Sequence, residues 1–419
     1  MNQKTPSEIR EIAGYVKNSN FIVYDPGTGD PERSKICILK MYGSCRAADK
    51  LIDDSTVYPY AKMGYRACSC SPQTGRFVEQ LPALSLVIDW IRANVEGVEK
   101  IVLWGNSRGC NLNSAYQRIA ENGIATFQTE KMFKKLPDMV LSPADGIMHF
   151  DANHGFMVNI LSSLAFDLLD DDSAMKRVAG DDPLSPKNGC DPVTGAATYS
   201  DEFLRRAWRG QAARYNRLLR RAQERQAKID AGEGMFCDDE PFCVVLGFAN
   251  AKNYQLYEHD RRFYCATKKA WPVLHPDGSI TTEPVRSVHI PSKPDDGFER
   301  MDRCYLTTVS EFLYLGLHVD EERFRYDATS LYGIDDDNFS SADGCARYIH
   351  CPTLAVGRTA GSEFEVAEWI YEKSAAERKD IVFIEGMLHG GGTREPEKYG
   401  SVNAREEAYV DRWLLENLL

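Results

Sequence analysis

The 419-residue sequence has no CxxC pair, no excess of basic charge, no visible internal repeat or low-complexity tract, and no long uninterrupted apolar run. Each absence removes a class of protein. Without CxxC pairs or regular spacing, the 12 cysteines read as reduced thiols rather than as a zinc site or a disulfide framework. No segment approaches the roughly 18 apolar residues of a membrane span. The opening MNQKTPSEIREIAGYVKN lacks an apolar signal region and reads as a short amphipathic helix, so cytoplasmic residence is expected. With 50 Lys+Arg against 62 Asp+Glu the net charge is −12. That argues against phosphate-backbone binding and hence against nucleic acid as a partner.

What is present is material for a large core: 43% hydrophobic and 27% charged residues match soluble globular domains. At roughly 100–200 residues per domain, the length means two or three units or one large α/β domain with an insertion. β-rich runs at Phe21–Tyr24, Ile36–Met41, Arg66–Ser69, Lys100–Trp104 and Met139–Ser142 alternate with helical stretches at Glu79–Val95 and Cys110–Asn122, the signature of a helix-covered parallel sheet. The pattern resumes near the C-terminus with strands at Pro352–Val356 and Asp380–Ile384 and helices at Glu365–Ala375 and Ala404–Leu419. Between roughly 147 and 349 it is replaced by an Arg-rich helix, Pro/Asp/Gly turns, and a hairpin signal in which Pro276-Asp277-Gly278 separates two β-prone runs. One sheet domain split by an insertion is the economical reading.

The chemistry concentrates at IVLWGNSRGCNLN, Ile101 to Asn113, where G-x-S-x-G places Gly105, Ser107 and Gly109 between a strand and a helix. A serine on so tight a turn takes strained backbone angles, and the glycines remove side chains that would collide there. Its hydroxyl then lies at a helix N-terminus, where amide N–H groups and the helix dipole favour developing negative charge. The bland alternative is a capping serine in an ordinary turn. A serine nucleophile needs a base. The segment DIVFIEGMLHGGG, Asp380 to Gly392, supplies His389 in a Gly-bearing loop between a strand and the terminal helix. His389 would take the Ser107 proton and return it to the leaving group. Cys110, directly after the elbow, reads as a packing residue, with a competing thiol nucleophile as the minor alternative.

These two motifs, Gly105–Gly109 and Gly386–His389, resemble the α/β-hydrolase superfamily, the likeness covering about 1–145 and 350–419. The resemblance implies an α/β-hydrolase fold. This is a mostly parallel sheet flanked by helices, its core formed by 1–146 and 350–419, with a mixed helical and β-hairpin cap at 147–349 inserted before the last two strands. It implies an oxyanion hole from the backbone N–H groups of Arg108 and of Ser44, in Met41-Tyr42-Gly43-Ser44, where Tyr42 replaces the usual histidine. The acid is where the sequence departs from the family. An aspartate commonly follows the strand equivalent to Pro352–Val356, but Gly357–Glu363 reads GRTAGSE. Glu363 is the nearest carboxylate and the preferred candidate. Asp145 is the other, because some members place the acid after the sixth strand. Each has a bland reading, Glu363 as a helix N-terminal charge and Asp145 as a turn residue.

Asp145, His149, Asp151 and His154 string acids and imidazoles together where the insertion begins, but the spacing matches no tetrahedral or EF-hand template. Polar lining of the cap entrance is expected there, and no metal. Arginines at 205, 206, 209, 214, 217, 220, 221 and 225 read as the solvated face of a cap helix, with an anionic substrate or partner as the rival. Phe248, Tyr254, Tyr257, Phe263, Tyr264 and Trp271 would suit an apolar or aromatic acyl group, and core packing explains them equally well. The expectation is an intracellular serine hydrolase cleaving a carboxylic ester, a lactone or an amide of a small organic molecule through an acyl-enzyme. No cofactor, metal, nucleic-acid or membrane partner is expected, and a homodimer is a possible assembly. The same residues could hydrolyse a carbon–carbon bond of a β-diketone or transfer acyl groups. The missing standard aspartate keeps a non-catalytic ligand-binding protein in play.

Overall fold

The computed structural model describes residues 9–17, 19–27, 29–43, 46, 48–168, 180–246, 255–291 and 304–419. In chain order the first elements are β1 (Arg10–Val16), β2 (Ser19–Asp25), β3 (Ile36–Met41), α1 (Tyr58–Lys62), β4 (Arg66–Pro72), α2 (Phe77–Asn94), β5 (Lys100–Asn106), α3 (Arg108–Asn122) and β6 (Gly146–Phe150). The middle of the chain follows with α4 (Phe156–Ser162), α5 (Asp201–Asp230), β7 (Pro241–Val245), α6 (Leu256–His259), β8 (Ala266–Leu274), β9 (Ile280–Arg286), β10 (Cys304–Thr308) and α7 (Val309–Tyr314). Next come β11 (Arg325–Tyr326), β12 (Leu331–Tyr332), α8 (Ala342–Ala346), β13 (Thr353–Arg358), α9 (Val366–Lys373), β14 (Lys379–Ile384), α10 (Pro396–Tyr399) and α11 (Val402–Leu418).

A mostly parallel ten-stranded sheet runs β1-β2-β4-β3-β5-β6-β13-β14-β8-β9. Its central strands are apolar on both faces because helices cover both sides: every residue of β3 (ICILKM) is buried. One face packs Leu81, Leu84, Val87, Ile88 and Ile91 of α2 and much of α3. The other packs Tyr409, Val410, Trp413 and Leu414 of α11 with Tyr60 and Ala61 of α1. The Ser107 turn therefore stands on a helix, α3, whose residues Gly109 to Ile119 are all buried.

Three expectations change. The N-terminal segment is not a helix over its described part. REIAGYV forms β1, paired antiparallel from Arg10↔Asp25 to Val16↔Ser19, with an Arg10–Asp25 ion pair at 2.8 Å. A Cβ on Gly14 would lie 2.2 Å from the Phe21 ring, so only glycine lets that ring cross the strand. Met139–Ser142 forms no strand. The sixth strand is the next run, GIMHF, whose Asp145 neighbour donates its N–H to Ile101 O at 2.8 Å. Finally, the hairpin expected in the cap extends the sheet: β8 pairs parallel with β14 through Phe383↔Val273 and Ile384↔Leu274, and β9 forms the edge.

The Arg-rich helix is α5, capped by the Ser200 hydroxyl accepting from Phe203 N–H. Arg206, Arg209 and Arg225 pair with Asp181, Glu322 and Glu240 at 2.9, 2.6 and 2.6 Å, which is a solvated face laced to its neighbours. Among the described residues no helix is long and apolar enough to cross a membrane.

Candidate active site

Ser107 sits between β5 and α3 with φ 54° and ψ −125°, a conformation that costs free energy for a residue with a side chain. What permits the turn is Gly105: a Cβ there would lie 2.9 Å from Cys110 N and 3.0 Å from Asn113 Nδ2. The turn is pinned by Cys110 N–H donating to Ser107 O at 3.0 Å and by Asn106 Nδ2 donating to Phe150 O at 2.8 Å. Cys110 is fully buried, and burial pushes its thiol well above the ordinary value, so it offers no thiolate to compete with the serine.

The imidazole of His389 approaches through its Nδ1, 2.6 Å from Asp151 Oδ2. Its backbone is held from two strands: His389 O accepts from Asn106 Nδ2 at 3.1 Å and from Arg358 Nη1 at 2.7 Å. The Arg358 guanidinium is in turn clamped by Glu406 of α11 through bonds of 2.8 and 2.7 Å, a bidentate arrangement with fixed direction. Asp151 is the first residue after β6 and takes a left-handed φ of 45°. Its other oxygen accepts from Arg358 N–H at 3.1 Å. A Cβ on Gly361 would lie 2.2 Å from Asp151 Oδ2, so the β13–α9 loop approaches the carboxylate as closely as only glycine allows.

Neither expected acid meets His389. Asp145 precedes β6 instead of following it, at the opposite end of the strand. There it accepts from Ile101 N–H at 2.9 Å and pairs with Arg92 at 3.3 Å and Lys100 at 3.7 Å. Glu363 is turned to His154, its Oε1 2.9 Å from Nδ1. Asp151 was visible only as one of a string of polar residues. The signal that could have found it is its place one residue past a five-residue strand, and that depended on choosing GIMHF over MVLS as the strand.

Of the expected oxyanion donors, Arg108 opens α3 and Ser44 lies outside the described residues. Gly43 packs against Arg108, since a Cβ on it would touch the Arg108 side-chain carbons at 3.4 Å. The Arg108 guanidinium is turned away from the turn, stacked 4.3 Å from Phe156 and donating to Gly75 O at 3.0 Å.

A cleft of about 450 Å³ opens beside Ser107, bordered by Lys40, Tyr42, Arg46, Arg358, Asn403, Glu406 and Glu407 among others. Its lining residues among those described all come from outside 147–349, so none of the described aromatic residues of the middle segment borders it. Tyr257 and Tyr264 are instead fully buried in packing, and Phe248 and Tyr254 lie outside the described residues. Lys40 is spent internally, donating to both Asp54 oxygens at 3.0 and 3.2 Å and to Thr56 Oγ1 at 2.8 Å.

No family model and no curated protein matches the chain. Solved structures similar to it include an α/β hydrolase, GrgF, from Penicillium sp. sh18, at 12% identity and TM-score 0.43, covering 99% of this chain and 100% of that one. Another is a butyrate-bound esterase, Est2, from Thermogutta terrifontis, at 12% identity and TM-score 0.37, covering 98% and 95%. A third is esterase B from Lactobacillus rhamnosis, at 8% identity and TM-score 0.40, covering 100% and 88%. The assignment itself rests on this chain's own architecture: the strand order through β14, the strained serine between β5 and α3, and the histidine loop after β14 make it an α/β-hydrolase in fold.

Proposed function

We propose that this chain is a serine hydrolase that cleaves a carboxylic ester, a lactone or an amide of a small organic molecule through an acyl-enzyme on Ser107. The observation that carries the reading is the His389–Asp151 contact of 2.6 Å beside a strained Ser107. With Nδ1–H given to Asp151, the Nε2 of His389 is left as the acceptor, the tautomer a general base needs. Ser107 Oγ attacks the carbonyl carbon while Nε2 takes its proton. The Arg108 N–H, with Ser44 N–H as second donor, holds the oxyanion. The leaving group then departs with the proton, and water repeats the sequence to free the serine. Asp151 steadies the imidazolium formed on the way.

The charged walls of the cleft favour a substrate with polar groups over the apolar acyl group suggested by the aromatics of 147–349. That segment is read as the cap: Phe156 lies under Arg108, and Tyr305 packs on Phe156 with ring centroids 5.5 Å apart. The motive for a non-catalytic reading was a missing acid, and Asp151 supplies one. The deciding experiment is intact-mass analysis after a fluorophosphonate probe, with turnover of an activated ester in parallel. One adduct on Ser107, absent from Ser107→Ala together with turnover, is the expected result; folded protein that takes up no probe at Ser107 refutes the reading.

A further inference from the structure

Three residues beyond Asp151 lies His154, whose side chain is completely enclosed. Its Nδ1 is 2.9 Å from Glu363 Oε1 and its Nε2 is 2.6 Å from Glu365 Oε1, while its backbone N–H donates to Glu363 Oε1 at 3.3 Å. The rings of Tyr264, Trp369 and Tyr257 surround it at centroid distances of 3.9, 5.3 and 5.5 Å. Only Nε2 makes a hydrogen bond, to Glu365, while the Glu363 oxygen lies at ion-pair distance from Nδ1, and two carboxylates this close favour the positively charged ring. Burial alone would lower the imidazole's pKa, but Glu365 and Glu363 outweigh it and hold the group up at about 9. Arg261 lies near both Glu258 and Glu365, and Lys268, Asp336, Asp343, Glu372 and Lys373 border a small cavity with His154. Among the described residues no cluster of His, Cys, Asp and Glu is arranged to hold a metal ion.

The same two loops build the acid. The β6–α4 loop carries Asp151 and His154. The last residue of β13 supplies the Arg358 N–H, and the β13–α9 loop that follows carries the Gly361 approach that seats Asp151, and then Glu363 and Glu365. Because Asp151 sits in a left-handed conformation, its placement must be imposed by its surroundings. We infer that His154 with Glu363 and Glu365 is a positioning unit, an ionic clamp that locks the β13–α9 loop to the β6–α4 loop and so fixes the Asp151 carboxylate on His389. This rests on the hydrolase reading above. The clamp also has a direction in pH. The folded-state pKa of His154 exceeds its ordinary 6.5 while burial pushes Glu365 up to about 7, so the ionic form of the clamp is held between about 7 and about 9 and its His154 charge is lost as pH rises through about 9.

The test uses the full chain with His154→Gln and Glu365→Gln, measuring kcat and KM on an activated ester from neutral to alkaline pH beside thermal melts and fluorophosphonate labelling. A misplaced catalytic group costs about 10- to 100-fold in rate. His154→Gln is therefore expected to lose about that much kcat with little change in KM, and to lack an alkaline fall in kcat that the wild type shows. Glu365→Gln, which keeps an oxygen for Nε2, should fall between the two. A folded His154→Gln that labels at Ser107 and keeps wild-type kcat and the wild-type alkaline limb overturns the clamp. Should His154→Gln not fold, the same readouts on Glu365→Gln decide: reduced kcat with an altered alkaline limb upholds the clamp, and wild-type behaviour overturns it. Wild-type protein that never labels at Ser107 would sink the hydrolase reading instead, so the two failures are distinct.

Discussion

At the scale of single residues, the sharpest result is which carboxylate contacts the His389 imidazole. Asp151 and Asp145 bracket one five-residue strand, and only the first reaches the imidazole. Replacing Asp151 by Asn should lower kcat/KM by about 10⁴-fold, the usual cost of losing the carboxylate that fixes the histidine tautomer. Asp145→Asn should leave catalysis near wild type and cost only stability, because its bonds tie β5 to the turn before β6 at the far end of the sheet. Steady-state kinetics on one activated ester distinguishes the pair. The turn at Ser107 and the loop at His389 were legible in the sequence because each is announced locally, by glycines at fixed offsets between strand and helix. The acid was not. It required deciding which of two adjacent apolar runs pairs in the sheet, and tertiary pairing chose GIMHF, with its glycine and histidine, over the more strand-like MVLS. Ser107, Arg108 and His389 meet at one end of the sheet; Glu363 belongs to a different imidazole.

At the scale of elements, α9 and the β8–β9 hairpin are joined by one carboxylate. Glu368 is fully buried and accepts from Lys268 N–H and Lys269 N–H, each at 2.9 Å, and from Trp271 Nε1 at 2.7 Å. These donors lie around the irregularity in β8 between Ala266 and Ala270, where the strand would otherwise leave N–H groups unpaired. Glu368→Leu strands three donors. A loss of about 2–4 kcal/mol is expected, readable as a lowered urea midpoint, with the proposed catalysis of the folded fraction unchanged. The hairpin's turn was legible from Pro276-Asp277-Gly278, and its destination was not, since nothing in its own residues names β14 as the partner. Its outer strand β9 carries Glu283 and Pro284, residues that blunt an exposed edge against further pairing. The N-terminal strand misled for a related reason: a short amphipathic run is shared by helix and strand, and the register with β2 decides.

At the scale of the whole molecule, pH enters through a group outside the site. His149 on β6 is buried, its ring nitrogens have no hydrogen-bond partner within the described protein, and burial lowers its pKa to about 3. The unfolded chain takes up that proton first, near the ordinary 6.5. The His149 contribution to stability is therefore full above about 6.5 and drains away as pH falls toward about 3. Asp54 and Asp411, held below the usual carboxylate range because Lys40 and Arg33 outweigh their burial, add losses in the same direction at lower pH. Chemical denaturation of wild type and His149→Leu at pH 7.5 and 4.5 should show a loss on the order of several kcal/mol in the wild type and a smaller one in the variant.

The placement of β8 and β9 bears on how the molecule can be divided. Because two strands from within the inserted segment complete the far side of the sheet, that segment cannot be excised as a module and replaced by a short linker. Deletion would expose β14 as a raw edge along its pairing face. Nor can the hairpin dock early in synthesis: its parallel partner emerges only after β13 and α9, so the chain carries an unattached ribbon until nearly all of it is made. Unfolding should be correspondingly indivisible, a single cooperative event in which insertion and sheet are lost together.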